Sequence, residues 1–277
     1  MKHLLCFGFG FSAEALAQKL DRNQWHVTGT SRTHEGVATI AAQGFDGVLF
    51  SELQSIPATV THILTSVPPD EDGDPVLSRF KGELLKRANS LRWVGYLSTT
   101  GVYGDRGGAW VDEETALQPN TDRGQRRVDA EAEWQTIAGL PLEIFRLAGI
   151  YGPGRNAFES LKSGKAQRVI KQGQIFSRIH VEDIAGVLLA SINKPNPGHI
   201  YNLADDEPCP PQDVITYAAE LLGMEPPPEI AFEDAKLSAM AKSFYADSKR
   251  VSNVRIKNEL SYELKYPNYR AGLKALL

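Results

Sequence analysis

Leu4-Leu5-Cys6-Phe7-Gly8-Phe9-Gly10-Phe11-Ser12-Ala13-Glu14-Ala15-Leu16-Ala17 runs from an apolar stretch through two glycines into apolar residues at helical spacing. Leu4 to Phe7 suits a buried strand, and Ala13, Leu16, Ala17 and Leu20 mark one face of a helix. At the junction, Gly8, Gly10 and Ala13 form a G-x-G-x-x-A pattern. The glycines would permit a tight turn and close backbone approach, and the helix start would offer unpaired N–H groups to a pyrophosphate. Two glycines alone could equally serve a plain turn. The setting favours the nucleotide reading: His26 to Thr30 reads as a second strand, so strand, loop, helix and strand fit within about thirty residues, as a βαβ unit requires. Phe11 and Ser12 complete the loop as further cofactor contacts.

Outward from this unit, Val48 to Phe50, His62 to Val67, Trp93 to Ser98 and Leu142 to Leu147 read as strands, with helical stretches between most of them. Such alternation predicts an α/β fold with a parallel sheet covered on both faces. Ile184 to Ile192 reads as a mostly apolar helix behind Glu182 and Asp183, whose charges suit its N-terminus. Pro210 and Pro211 open a later helix through Val214, Tyr217, Ala218 and Leu221, which Gly223 and Pro226 to Pro228 close. Between Tyr151 and Ile179, and again after Asp205, Gly and Pro punctuation rises and the alternation fades. The expected division is a core of residues 1–150 and about 180–204 with a small lobe built from 151–179 and 205–277.

At 42% hydrophobic and 23% charged residues, the chain is neither a disordered tail nor a fibre nor a membrane bundle. A net charge of −4 gives no global basic field, and no local patch argues for nucleic acid. Two cysteines, Cys6 and Cys209, exclude a disulfide scaffold, and Cys6 reads as a small apolar filler of the first strand. No stretch of about 18 apolar residues occurs, so no membrane partner is expected and the cytoplasm is the expected compartment. The histidines show no metal spacing, and no P-loop or nucleophile-elbow pattern is present.

The second strand ends Thr28-Gly29-Thr30-Ser31-Arg32, with no carboxylate about 20 residues beyond the glycines to bind a ribose 2′-hydroxyl. Arg32 and the hydroxyls of Ser31 and Thr33 would instead accept a 2′-phosphate through charge-assisted hydrogen bonds, which predicts NADP(H) over NAD(H). The alternative is a solvated arginine at a strand end. Ser66, closing the fourth strand, joins the expected cofactor site.

Four further stretches occur in order along the chain: Leu97-Ser98-Thr99-Thr100-Gly101-Val102-Tyr103-Gly104, Arg146-Leu147-Ala148-Gly149-Ile150-Tyr151-Gly152-Pro153-Gly154, Ile179-His180-Val181-Glu182-Asp183-Ile184-Ala185 and Ile200-Tyr201-Asn202-Leu203-Ala204-Asp205-Asp206. They resemble the landmarks of the extended short-chain dehydrogenase/reductase superfamily, the NAD-dependent epimerase/dehydratase group. The resemblance implies a Rossmann-type doubly wound parallel sheet with a small C-terminal substrate lobe, a nicotinamide cofactor and, often, nucleotide-sugar or other hydroxyl-bearing substrates. It also implies that Thr99 orients a substrate oxygen, with Thr100 beside it. The family's Tyr-x-x-x-Lys pair lies on the next helix with an acid four residues after the Lys. Counting back from Glu131 puts Arg127 at the Lys and Arg123 at the Tyr. An arginine stays protonated at any working pH and cannot act as general acid or base. Arg127 keeps the ability to hold a ribose, Arg123 that of binding an anion, and the chain is similar to atypical members of the superfamily.

Tyr103 and Tyr151 are phenols at landmarks near the strand ends and are candidates for the missing acid or for substrate contacts, against the alternative that each packs with its hydroxyl on backbone. Arg123, Arg126 and Arg127 form a basic stretch that either meets an anion or pairs with Asp122 and Glu131 on the helix surface. His180 reads as a structural histidine at a helix start, and Tyr245 to Val254 as a solvated helix start. The expected protein is an NADP(H)-binding oxidoreductase or epimerase acting on a small hydroxyl- or carbonyl-bearing metabolite or a nucleotide sugar, as a monomer or homodimer. A non-catalytic dinucleotide-binding sensor competes with it, and a dehydratase or epimerase with a relocated base is a third reading.

Overall fold

The computed structural model describes residues 1–277, the side chains of residues 239 and 240 excepted. Alternate residues of the first strand, β1 (Lys2–Phe7), enter opposite cores: Leu4 and Cys6 on one side of the sheet, Leu5 and Phe7 on the other. This period of two, buried on both sides, is what makes the strand central. Around it stand β2 (Trp25–Ser31), β3 (Asp46–Leu49), β4 (His62–Thr65), β5 (Trp93–Thr99) and two later strands, Leu142–Leu147 and Ile200–Leu203. All pair in parallel, in the order Ile200–Leu203, Leu142–Leu147, β5, β4, β1, β2, β3.

The helices α1 (Phe11–Lys19), α2 (His34–Ala42), α3 (Pro75–Arg87) and α4 (Asp122–Gln135) follow the strands in turn. Leu16 and Ala17 of α1 share one core with Ile184 and Leu188, whereas Val76, Leu77, Phe80, Ala130 and Trp134 of α3 and α4 fill the other. The doubly wound α/β fold is therefore present, with all six expected strands in it. The third is displaced to Asp46–Leu49, and the fourth stops at Thr65 because Ser66 turns to donate to the Gly8 carbonyl at 2.8 Å. Ile200–Leu203 is a seventh strand that the periodicity does not single out.

Beyond the sheet lie α5 (Ala157–Lys162), α6 (Val181–Asn193) and α7 (Pro211–Leu221), the last two at the expected places. Phe158, Leu161, Cys209, Ala218, Tyr269 and Leu273 form a separate apolar cluster between α5, α7 and the C-terminal helix. The segment Ser261–Tyr266 is held to α6 by Asp183, whose carboxylate accepts from the Tyr262 hydroxyl (2.9 Å) and the backbone N–H groups of Lys265 (2.7 Å) and Tyr266 (3.0 Å). Tyr245 to Val254 is not a solvated helix start. Arg250–Val251 pairs with Trp110–Val111, and the buried Lys249 ammonium donates to the Gly104 carbonyl (2.8 Å) and to Asp247 (2.9 Å). Charge alone suggested solvent there, but each charged head is satisfied by a partner distant in sequence or by a neighbour. Among the described residues no helix is long and apolar enough to cross a membrane.

Candidate functional site

Gly8 sits at φ +78°, a conformation that L side chains rarely adopt, and its N–H donates to Thr30 Oγ1 at 2.9 Å. The Phe9 N–H donates to the Thr30 carbonyl at 3.0 Å, so the loop is fastened to the end of β2. Gly10 then starts α1 without a side-chain cap, and a Cβ placed there would meet nothing within 4 Å. Open space before uncapped N–H groups is what a pyrophosphate needs. Ser12 and Ala13 are buried and serve packing of the first turn.

At the end of β2, Arg32 is exposed and its guanidinium has no partner among the described residues. Ser31 Oγ accepts from the Thr33 N–H at 3.2 Å and Thr33 Oγ1 caps α2 by accepting from the Gly36 N–H at 3.1 Å, each hydroxyl keeping its proton to donate. Residues 31–33 thus present one cation and two donors beside the glycine loop.

Two strands along the sheet from β1, β5 ends in a turn that begins at Thr99. Thr99 Oγ1 accepts from the Gly101 N–H at 3.1 Å, leaving its proton free, and Thr100 is buried beneath. Helix α4 approaches this turn closely at Gly124, where a Cβ would lie 3.1 Å from the Gly101 carbonyl oxygen. Arg123, the preceding residue, is exposed with no side-chain partner among the described residues. Arg127, one helical turn on, donates to the Tyr96 hydroxyl and the Leu97 carbonyl, both at 2.9 Å, with its guanidinium 5.5 Å from the Tyr96 ring centre. Arg126 pairs instead with Glu71 at 3.4 Å. The basic stretch therefore divides, one arginine free, one paired and one committed to β5.

Tyr103 is fully buried: its hydroxyl donates to Asn202 Oδ1 at 2.7 Å and accepts from Arg146 at 3.0 Å. Burial pushes its pKa up, and the group has no route to a substrate proton. We expect Tyr103→Phe to lower stability by about 1–3 kcal/mol in urea unfolding, by leaving Asn202 and Arg146 short of a partner, without lowering dinucleotide affinity in calorimetry. A loss of affinity without a loss of stability would return Tyr103 to the site. His180 is likewise structural, since its Nδ1 accepts from the Glu182 N–H at 3.1 Å at the start of α6 and burial lowers its pKa to about 4.

Tyr151 lines a cavity but is itself buried, and its hydroxyl donates to the Asn268 carbonyl at 3.5 Å, the backbone-bonded packing that is its alternative in the sequence. The turn it opens lies against the glycine loop, because a Cβ on Gly152 would be 3.1 Å from the Phe11 ring. Burial raises the Tyr151 pKa strongly, so the phenol remains a neutral donor. The cavity, about 360 Å³, is lined further by Arg155, Asn156, Gln167, Arg178 and Tyr245. Thr99, Arg123 and Arg127 are not among its lining residues. Sequence reasoning missed Arg155, Gln167 and Arg178. The available signal was that Arg178 precedes the His180 landmark by two residues, on the strand Arg178–His180 that pairs with the Tyr151 strand.

No family model matches the sequence. The chain is 54% identical, over 100% of its length and 98% of the other, to a conserved protein of unknown function from Silicibacter pomeroyi, with a TM-score of 0.96. A protein of Methylobacillus flagellatus described as an NAD-dependent epimerase/dehydratase is 26% identical over 99% of this chain and 97% of its own, with a TM-score of 0.74. Among curated proteins, YeeZ of Escherichia coli is 29% identical over 97% of each chain, and a 3-diazoavenalumate denitrifying reductase of Streptomyces is 24% identical over 89% of each.

Proposed function

Because the chain belongs to the extended short-chain dehydrogenase/reductase superfamily, we propose that it binds NADP(H) at the glycine loop and reduces the carbonyl group of a small metabolite. The observation that carries this reading is the open space before the uncapped start of α1 at Gly10, with the unpartnered Arg32 at the end of the adjoining strand β2. The uncapped start of α1 would hold the pyrophosphate, Arg32 with Ser31 and Thr33 the 2′-phosphate, and Ser66 the segment after β4 in place against Gly8. When bound, the reduced cofactor supplies a hydride to the carbonyl carbon. Thr99 donates a hydrogen bond to the carbonyl oxygen, and Arg123 stabilises the negative charge that gathers there. Arg123 cannot release a proton, so the oxygen takes its proton from water. Arg127, fastened to Tyr96 and Leu97, keeps its remaining N–H groups for a ribose hydroxyl. The Streptomyces relative is named as a denitrifying reductase, which supports hydride transfer, and the Methylobacillus protein is described as an epimerase/dehydratase, so epimerisation stays as the alternative chemistry.

Calorimetric titration tests the cofactor half. NADPH is expected to bind at least about tenfold more tightly than NADH, and Arg32→Ala to remove that preference while leaving NADH binding unchanged. Equal or tighter NADH binding by the unaltered protein would sink the role of Arg32. The commitment of Arg127 to β5 favours one second reading, a dinucleotide-binding sensor. NADPH binding without turnover of any ketone, aldehyde or keto acid would establish it in place of the reductase.

A further inference from the structure

The cavity beyond Tyr151, about 360 Å³, is at the lower end of the range of about 300–1,000 Å³ usual for small-molecule sites. Its walls are largely apolar and aromatic, with Ile150, Val214, Leu273, Tyr151 and Tyr245 among them. Two guanidinium groups stand in these walls, Arg155 and Arg178. Neither has a carboxylate within ion-pair distance among the described residues. Arg155 is exposed and its side chain has no protein partner there. Arg178, half-buried, donates through Nη1 alone, to the carbonyls of Phe176 (3.2 Å) and Cys209 (3.5 Å) and to the Cys209 sulfur (3.1 Å). Its Nε and Nη2 remain.

The carboxyl whose field reaches Arg178 is that of Asp205. Only 1% of Asp205 is exposed; Oδ1 accepts from the Glu207 N–H at 3.2 Å, and Oδ2 has no partner. Burial raises its pKa to about 8, which favours the protonated carboxyl, and no ion pair forms between it and Arg178. A half-buried cation without a counter-charge carries a desolvation cost that a bound anion offsets.

We infer that this cavity takes a small organic acid with an apolar or aromatic body, its carboxylate held by the forks of Arg178 and Arg155. The planar guanidinium matches the two oxygens of a carboxylate. The inference rests on the reductase reading for what becomes of the acid and on the cavity alone for its binding.

The test is calorimetric titration of the full chain with phenylpyruvate, with phenylacetone, its neutral counterpart lacking the carboxylate, and with inorganic phosphate, alongside an assay of NADPH consumption. Phenylpyruvate is expected to bind and phenylacetone not to bind at the same concentrations. Arg178→Gln and Arg155→Gln should each weaken phenylpyruvate about tenfold, with NADPH affinity unchanged. Arg155→Gln, which removes no protein contact, decides the matter if Arg178→Gln does not fold. Equal binding of phenylacetone, tighter binding of phosphate, no binding of phenylpyruvate, or unchanged affinity in the folded variants overturns the inference. Phenylpyruvate binding with no NADPH consumption on any ketone, aldehyde or keto acid would end the reductase reading and keep this one, whereas NADPH consumption with neutral ketones and no phenylpyruvate binding would do the reverse.

Discussion

Replacing Arg146 by methionine is expected to cost about 3–5 kcal/mol of stability, measured as the free energy of urea unfolding. Arg146 and Glu131 are each 3% exposed at their side chains, and Nη2 donates to Oε2 at 2.7 Å while Nε reaches both carboxylate oxygens at 3.2 Å. Ser98 adds a bond to Oε1 at 2.5 Å, and Arg146 continues through the Tyr103 hydroxyl to Asn202. The network joins β5, α4 and the two last strands of the sheet. Removing only the cation leaves a carboxylate in a dry interior with one hydroxyl to solvate it, and that stranded charge dominates the loss. Adding Glu131→Leu to Arg146→Met should therefore recover part of the stability rather than add a second loss. A single-variant loss below about 1 kcal/mol, or losses that simply add, would mean that water reaches the pair in solution.

The strands were legible because their apolar runs are short and bounded by turn residues, and the glycine loop because Gly8 and Gly10 stand between a strand and a helix. Ile200–Leu203 escaped because an edge strand with Tyr201 and Asn202 inside it has neither an unbroken apolar run nor strict alternation. What makes it a strand is pairing with Leu142–Leu147, a contact between residues far apart in the chain. Lys249 misled for a related reason: its charge suggests solvent, and only the Gly104 carbonyl and Asp247 explain why it is buried.

The site divides along the same line. Arg123 and Arg127 could be placed by counting from Glu131, yet their different surroundings could not, since Tyr96 and Leu97, which occupy Arg127, belong to a strand and not to its helix. Tyr103 and Tyr151 look equivalent as sequence and both are buried; one is bonded to Asn202 and Arg146, the other to the Asn268 carbonyl at the wall of a cavity. Arg178 is marked in the sequence only by its place two residues before His180, and Arg155 by nothing. They become a pair only through the fold.

Asp205 should give the protein a stability that falls as pH rises through neutrality. In the unfolded chain its carboxyl ionises near the ordinary value of 3.8, whereas in the folded protein burial keeps it protonated up to about 8. Below 3.8 both states hold the proton and its stabilising contribution is complete. Between 3.8 and about 8 the folded state binds more protons than the unfolded state, so stability is lost at up to about 1.4 kcal/mol per pH unit, and above about 8 the loss is complete. Three buried histidines act in the opposite sense lower down: burial holds His3, His62 and His180 near a pKa of about 4 against an ordinary 6.5, so their contribution grows as pH rises and is complete above 6.5. The window from 6.5 to about 8 therefore isolates the aspartate from these histidines. Across it the unaltered protein is expected to lose about 2 kcal/mol more than Asp205→Asn, which keeps an acceptor for the Glu207 N–H and has no proton to lose. Parallel urea-unfolding profiles for the two proteins would show that Asp205 is already ionised at neutral pH. It would then be pairing with Arg178, and the cation that the cavity offers to an acid would already be neutralised.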